Sequence, residues 1–176
     1  PGGVGGDAVF GPSWEALFGR AEEAGATPAW WRRKRERLIK TLARRDAAYV
    51  YDLASVADAA ARLTALPAVD RVLYSMKANP HPEILRTACA GGLGIECVSL
   101  AEARHALASV QELSPADLLY TPNFAPRAEY REALELGLQV TIDNPWILEH
   151  WGADFAGRSV FLRLDPGSGL GHHKMV

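Results

Sequence analysis

Short apolar runs recur at a regular interval through most of the chain. Their middles lie 21 to 24 residues apart, and each interval contains a stretch with helical periodicity. The pattern predicts strands near 48–53, 70–76, 94–99, 117–122, 138–144 and 159–165, with helices near 54–66, 81–90, 100–109, 126–136 and 145–151. Strands that alternate with helices in this way indicate a parallel sheet.

Two parallel architectures are compatible with this alternation, a closed barrel and an open doubly wound sheet. A doubly wound nucleotide-binding sheet predicts a GxGxxG turn after its first strand, but residues 51–55 contain no glycine. A closed eight-stranded barrel needs about 250 residues. We therefore predict an α/β fold of the parallel (β/α)8 TIM type, present as an incomplete barrel of about six βα units over residues 47–176.

Residues 1–46 differ from the rest and are predicted to form a linker and an N-terminal helical segment. The opening six residues include four glycines, which is typical of a linker or of the cut end of a longer polypeptide. Between Trp30 and Arg45 lie eight basic residues and one acid, Glu36. Trp30, Trp31, Leu38 and Leu42 can share one helical face, which predicts an amphipathic helix docked by its aromatic end. Nucleic-acid binding by this segment is the alternative.

The composition indicates a soluble globular protein. Hydrophobic residues make up 48% of the chain and charged residues 23%, and no apolar run approaches the roughly 18 residues of a membrane helix. With no signal peptide at the N-terminus, we expect a cytoplasmic protein that contacts neither membrane nor nucleic acid. Cys89 and Cys97 lack CxxC spacing, so free buried thiols are expected and no metal is implied.

Lys77 is the first candidate for chemistry, because it follows the apolar run 69–76. A lysine amine that is poorly hydrated at the end of a strand can become nucleophilic and condense with a carbonyl compound. The alternative is a lysine whose stem follows the strand while its ammonium reaches water. The residues around Lys77 in the fold determine which of these two environments its amine has.

Polar residues also end the other apolar runs, and in a parallel barrel these ends meet at the active-site face. They are Glu96, Ser99, Thr121, Asn123, Asp143, Asn144, Arg163 and Asp165. Each is also of a type that caps helices or forms turns. Glu96 lies inside an apolar strand, so it either faces the Lys77 site or pairs with an arginine. His172 and His173 follow a glycine-rich loop and are either substrate ligands or acid–base groups, or part of a solvated loop.

Several segments together resemble the fold-type III pyridoxal-phosphate decarboxylases. The segments are YVYD at 49–52, YSMKAN at 74–79, GIECVS at 94–99 with Glu102, and LRLDPG at 162–167. The resemblance implies that pyridoxal 5'-phosphate is the cofactor, that Lys77 binds it covalently, and that Arg163 and Glu96 lie near it. Family members usually carry aspartate at the position of Glu96. His172 or His173 would approach the substrate.

The resemblance also implies an activity, which is decarboxylation of meso-2,6-diaminopimelate to L-lysine and carbon dioxide in lysine biosynthesis. A homodimer is implied, and segments 121–126 and 167–173 are similar to a version fused behind an aspartate kinase. The chain by itself is expected to be weakly active or inactive. A non-catalytic pyridoxal-phosphate carrier, an alanine-racemase-like barrel and a cofactor-free lysine-imine aldolase remain alternatives.

Overall fold

The computed structural model describes residues 29–164, and the chain divides into two compact units, Pro1–Asp52 and Leu53–Val176. In the first unit the basic segment forms two short helices, α1 (Trp30–Arg33) and α2 (Arg35–Leu42), which meet at Lys34. Within residues 30–42 no side chain is buried, and Trp31 is exposed. The predicted helical segment is therefore present, but its aromatic end is not buried.

The predicted strand at 48–53 is wrong. Residues 48–52 have no regular secondary structure, and Leu53 begins the helix α3 (Leu53–Thr64). Tyr49 is 91% exposed, and Val50 and Tyr51 are exposed as well. A run with high strand propensity forms a strand only when a neighbouring strand supplies its hydrogen bonds, and no strand within residues 29–164 pairs with this run.

The second unit is a parallel sheet with a helix in each connection. Within the described residues its strands are β1 (Leu73–Ser75), β2 (Gly94–Cys97), β3 (Leu118–Tyr120), β4 (Gln139–Ile142) and β5 (Phe161–Leu162). The connecting helices are α4 (Pro82–Ala90), α5 (Leu100–Ser109), α6 (Arg127–Glu135) and α7 (Pro145–Trp151). Three 3-10 turns, Met76–Ala78, Pro115–Asp117 and Gly152–Phe155, complete the regular structure.

The strands lie in the order β1-β2-β3-β4-β5, so each one pairs with the next along the chain. The register joins Leu73 to Gly94, Ile95 to Leu118, Leu119 to Gln139 and Thr141 to Phe161. The described sheet is open, with β1 and β5 at its edges. This arrangement confirms the predicted α/β fold with a parallel sheet, with strands at five of the six predicted places.

The core lies between the sheet and the helices that follow its strands. Ile95, Leu118 and Val140 in the three central strands are fully buried, as expected for strands of a parallel sheet that are covered by helices. Tyr120 in β3 and Tyr130 in α6 are also fully buried, and their rings pack edge to face with centroids 6.2 Å apart. This packing holds α6 close to the carboxyl end of β3.

Local signals in the sequence set the helix boundaries. Ser99 caps α5, because its Oγ accepts from the backbone N–H of Glu102 at 3.2 Å, and Asn144 caps α7 through a 2.9 Å bond from the N–H of Trp146. Gly137 lies just after the C-terminus of α6, before β4, and its φ of +81° is a conformation that favours glycine. Among the described helices, none has the length and apolarity needed to cross a membrane.

Candidate active site at the carboxyl edge of the sheet

Lys77 lies at the carboxyl edge of β1, in the 3-10 turn that directly follows the strand. Met76 is 1% exposed, and its Sδ lies 3.9 Å from Sγ of Cys97, so the turn is anchored in the core immediately before the lysine. Lys77 itself is exposed, and its ammonium has no hydrogen bond or ion pair within residues 29–164. Its predicted position at a strand end is observed.

Of the two alternatives for Lys77, this structure shows the one in which the ammonium reaches water. The ladder of β1 ends at Ser75, so the lysine lies two residues beyond the hydrogen-bonded strand rather than inside it. The described residues leave this edge open to solvent. The amine is therefore accessible to a small molecule that enters from the carboxyl face.

The backbone after Lys77 is held by hydrogen bonds within its own segment. The hydroxyl of Tyr74 donates to the carbonyl of Asn79 at 3.3 Å, and the side chain of Asn79 accepts from the backbone N–H of His81 at 3.0 Å. The ring of His81 accepts in turn from the N–H of Glu83 at 3.2 Å and caps α4. The turn that carries the lysine thus leads directly into a helix.

Glu96 is half-buried in β2, next to β1, and its partners are two hydroxyl groups. Ser75, its register partner in β1, donates from Oγ to Oε2 of Glu96 at 2.5 Å. Thr121, just beyond β3, donates from Oγ1 to Oε1. Within the described residues Glu96 has no arginine partner, so the alternative in which it pairs with an arginine is not observed there. Two hydroxyl donors on separate strands satisfy the carboxylate and fix its orientation.

Arg163, which follows β5, extends along the same edge of the sheet. Its Nη1 donates to Oδ1 of Asn123 at 2.9 Å, and its backbone N–H donates to the carbonyl of Ile142 at 2.9 Å. Asn123 belongs to the loop after β3, so one guanidinium spans the end of β4. This places a cation at the carboxyl edge next to β5, whereas Lys77 follows β1 at the opposite side of the described sheet.

Three of the other predicted residues have structural roles. Ser99 and Asn144 cap helices, and Asp143 accepts a long 3.5 Å bond from the hydroxyl of Tyr130. Burial, followed by the nearby charge of Asp143, raises the pKa of Tyr130 to about 12. For Ser99 and Asn144 the interpretation as helix caps is confirmed. Asp165, His172 and His173 lie outside the described residues.

Burial disfavours the thiolate form of both cysteines. Both are free, with Cys97 buried and Cys89 half-buried. Burial, and then the charges of Glu102 and Glu96, raise the pKa of Cys97 to about 12, and burial also raises the pKa of Cys89. Within residues 29–164 no group of three or more His, Cys, Asp or Glu side chains is placed to hold a metal ion.

Sequence reasoning missed two features of this edge. Ser75 belongs to the YSMKAN segment at 74–79. Its contact with Glu96 depends on strand register, which the periodicity of the sequence does not reveal. Phe124 has φ of +54° and is 95% exposed, although a bulky residue rarely adopts this conformation. No local pattern in the sequence signals that backbone conformation.

The groups present fit an aldehyde cofactor that also carries an anionic group. An accessible primary amine can bind the aldehyde covalently, the oriented carboxylate of Glu96 can face a polar ring substituent, and the Arg163 guanidinium supplies positive charge. All three lie at the carboxyl edge, where parallel β/α folds bind their ligands.

Comparisons with known proteins agree with this chemistry. Residues 53–176 match the profile of the pyridoxal-dependent decarboxylase family, pyridoxal binding domain. Diaminopimelate decarboxylase from Streptomyces coelicolor is 30% identical over 128 residues, which are 72% of this chain and 28% of that protein. Ornithine decarboxylase from Leishmania donovani is 34% identical over 106 residues, 59% of this chain and 15% of that protein.

A solved structure shows the same fold. Lysine/ornithine decarboxylase from Vibrio vulnificus, complexed with putrescine, superposes with a TM-score of 0.60 at 24% identity over 73% of this chain and 36% of that one. This superposition, together with the parallel sheet and its connecting helices, confirms the predicted α/β fold of the TIM type, and the described part of the barrel is open. The chain spans less than a third of the length of the two curated relatives named above.

Proposed function

Because this chain belongs to the pyridoxal-dependent decarboxylases and matches their pyridoxal-binding domain over residues 53–176, we propose that Lys77 is its cofactor-binding lysine. We further propose that the complete enzyme converts meso-2,6-diaminopimelate to L-lysine and carbon dioxide. The observation that carries the first proposal is the accessible amine of Lys77 at the carboxyl edge of β1, two residues beyond Ser75, the register partner of Glu96.

The chain's own residues would hold and orient the cofactor. Bound pyridoxal phosphate supplies an electron sink for the electron pair that departing carbon dioxide leaves behind. Lys77 would hold it covalently, and the buried Met76 fixes the backbone from which the lysine extends. Glu96, oriented by Ser75 and Thr121, would present a fixed negative charge. Arg163, oriented by Asn123, would present a positive charge on the other side of the edge.

The choice of substrate is supported by the extent of the sequence matches. The diaminopimelate decarboxylase match covers 72% of this chain, compared with 59% for the ornithine decarboxylase match. The higher identity of the ornithine enzyme over its shorter match, 34% against 30%, makes ornithine the second candidate substrate. Both substrates are amino acids with a second amino group at the far end, but only diaminopimelate also carries a second carboxylate there.

Borohydride reduction of the full-length polypeptide with pyridoxal phosphate tests the role of Lys77. We expect one pyridoxyl label on the peptide that contains Lys77, because reduction fixes an imine as a stable secondary amine. Lys77→Ala and Lys77→Arg should lose the label and the release of carbon dioxide. Lys40→Ala, at an exposed lysine of α2, is the matched control and should retain both. A label on another lysine, with normal turnover in Lys77→Ala, would refute the assignment.

A parallel assay with meso-2,6-diaminopimelate, L-ornithine, L-arginine and L-lysine tests the substrate. We expect kcat/KM for diaminopimelate to exceed that for ornithine at least about 100-fold, since a site built to pair a polar group rejects substrates that leave it unpaired. Carbon dioxide release and chiral chromatography of the products are the measurements. A preference for ornithine would make ornithine the substrate. Racemised substrate without release of carbon dioxide would show that the enzyme is a racemase and not a decarboxylase.

The proposal extends to the setting of the complete enzyme. We propose that it acts in the cytoplasm as a homodimer, and that an aspartate kinase precedes it in the same polypeptide, as the likeness of segments 121–126 and 167–173 suggests. Light scattering of the purified full-length protein would give the number of subunits. Aspartate phosphorylation by the same protein would reveal the kinase.

A further inference from the structure

Residues 77–81, the segment that begins with Lys77, are also held by a hydrogen bond from the next βα unit along the chain. His105 projects from α5, the helix of the next unit, and its Nε2 lies 2.8 Å from the carbonyl oxygen of Pro80. Pro80 is three residues beyond Lys77. The other hydrogen bonds described for residues 79–81 stay within the same unit, where the partners are Tyr74, Met76, Asn79, His81, Glu83, Ile84 and Leu85.

The chemistry of the two groups determines the direction of this bond. A carbonyl oxygen only accepts, so Nε2 of His105 must carry a hydrogen and donate it to Pro80. Ser109, one turn later on α5, has its Oγ 3.4 Å from the same nitrogen. With Nε2 as donor, that hydroxyl oxygen can only be a second, longer acceptor. The contact therefore requires a donor at the ring position Nε2.

The helix that presents His105 is firmly anchored. Ala103 and Ala106, on either side of His105 in α5, are fully buried against the core. The capped N-terminus at Ser99 adds a further constraint, and Glu102 accepts from the N–H of Val98 at 2.8 Å. His105 thus extends from a rigid support, whereas the turn that it contacts lies at an exposed edge.

Lys77 depends on its backbone for its position, because within residues 29–164 its ammonium has no partner. Met76 fixes the backbone before the lysine, and the Pro80 carbonyl is the point after it that a neighbouring unit holds. We propose that His105 is a positioning residue for Lys77, which holds the lysine turn through the Pro80 carbonyl. This inference rests on the proposed function of Lys77 as the cofactor-binding residue.

Substitutions in the full-length polypeptide separate the hydrogen bond from the bulk of the ring. His105→Ala removes both, His105→Phe keeps a ring without a donor, and His105→Gln keeps an N–H donor near the place of Nε2. His150→Ala is the matched control, because His150 is also an exposed helical histidine whose ring contacts a carbonyl, that of Trp146 at 2.9 Å.

The main measurement is the rate at which pyridoxal phosphate attaches to Lys77, followed by the visible absorbance of the imine and by borohydride labelling. We expect the alanine and phenylalanine variants to attach the cofactor about tenfold more slowly, which corresponds to the loss of one hydrogen bond. The glutamine variant should stay within about threefold of wild type, and kcat should follow the same order. KM for the amino acid should stay unchanged, because His105 positions the lysine and not the substrate.

The outcomes distinguish this inference from the function on which it rests. Wild-type attachment rates in the alanine and phenylalanine variants would overturn the role of His105 and leave Lys77 as the cofactor lysine. A glutamine variant as slow as the phenylalanine variant would also overturn it. Wild-type protein without a label at Lys77 would overturn both proposals. If the alanine variant fails to fold, the comparison of glutamine with phenylalanine decides.

Discussion

At the scale of single residues, Gly94 shows how closely β2 approaches its neighbours. A Cβ at this position would lie 2.4 Å from Cδ2 of Leu73 and 2.8 Å from the carbonyl oxygen of Asp117. The leucine side chain can rotate away, but the backbone oxygen belongs to the turn that leads into β3. Any side chain at Gly94 would therefore separate β2 from one of its two neighbours.

We expect Gly94→Ala to lower the free energy of unfolding by about 1 to 3 kcal/mol, the typical cost of forcing extra volume into a packed site. Urea denaturation followed by circular dichroism is the measurement. Gly152→Ala is the control, because a Cβ there has no atom within 4 Å and its φ of -52° suits alanine. Equal stability of the two variants would show that β2 has more room than the structure indicates.

The sequence predicted where the candidate residues lie along the strands, but it did not predict which side chains they contact. Lys77 and Glu96 could be assigned to neighbouring strand ends because the apolar period places them there. The partners of Glu96 could not be predicted, since Ser75 and Thr121 reach it only in one strand register. The exposure of Lys77 could not be predicted either, because an apolar run shows neither where the ladder ends nor what covers its edge.

At the scale of elements, a cluster of ion pairs holds α6 against the 3-10 turn that follows α7. Asp154 accepts from Nε and Nη2 of Arg127 at 2.6 and 3.0 Å, and from the same two atoms of Arg131 at 3.0 Å each. The hydrogen bonds from Arg127, and then those from Arg131, hold the pKa of Asp154 well below its usual range. A carboxylate with a lowered pKa stabilises the folded state whenever it is ionised.

This cluster should make stability depend on pH in the acid range. Its contribution is fully present above the ordinary aspartate pKa of about 3.9 and is lost as pH falls below that value towards the lowered pKa. We expect Asp154→Asn to be less stable than wild type at pH 7, with a difference that shrinks below about pH 4. Chemical denaturation at pH 7, 5, 4 and 3 measures it.

Asp58→Asn, at an exposed position of α3, is the control for the loss of one negative charge. It should not reproduce the difference seen with Asp154→Asn. A difference between wild type and Asp154→Asn that stays constant from pH 7 to pH 3 would show that the arginine contacts do not depend on the charge of Asp154.

Most elements could be predicted because proline, glycine and capping residues mark their ends. Observed α4, α5, α6 and α7 begin and end within about one residue of the predicted limits. The predicted strand at 48–53 was wrong because end-marking residues do not show whether a run finds a neighbouring strand. Tyr49, Val50 and Tyr51 favour a strand, but propensity alone does not supply the neighbouring strand that the backbone needs.

At the scale of the whole molecule, the described sheet ends in two edge strands, β1 and β5, and within residues 29–164 each pairs on one side only. Phe161 and Leu162 of β5 are exposed, and so is Leu164 just beyond it. Exposed apolar strands at a sheet edge promote pairing with other chains. A parallel barrel encloses its ligand only when the remaining strands complete the circle.

The 176-residue chain, expressed by itself, should therefore associate as its concentration rises and label weakly with pyridoxal phosphate. Light scattering at several concentrations and borohydride labelling, both compared with the full-length polypeptide, are the measurements. Leu162→Lys should reduce association, because charge on an edge strand opposes pairing. A monomeric chain that labels as strongly as the full-length protein would contradict this expectation.

The order of the sheet has a consequence for how the protein is made. Paired residues of neighbouring strands lie only 20 to 23 positions apart, and every strand pairs with the one synthesised just before it. Each new βα unit can therefore dock on its predecessor as soon as it leaves the ribosome, without waiting for distant sequence. The nascent chain can build this sheet in one direction, from β1 to β5, while translation continues.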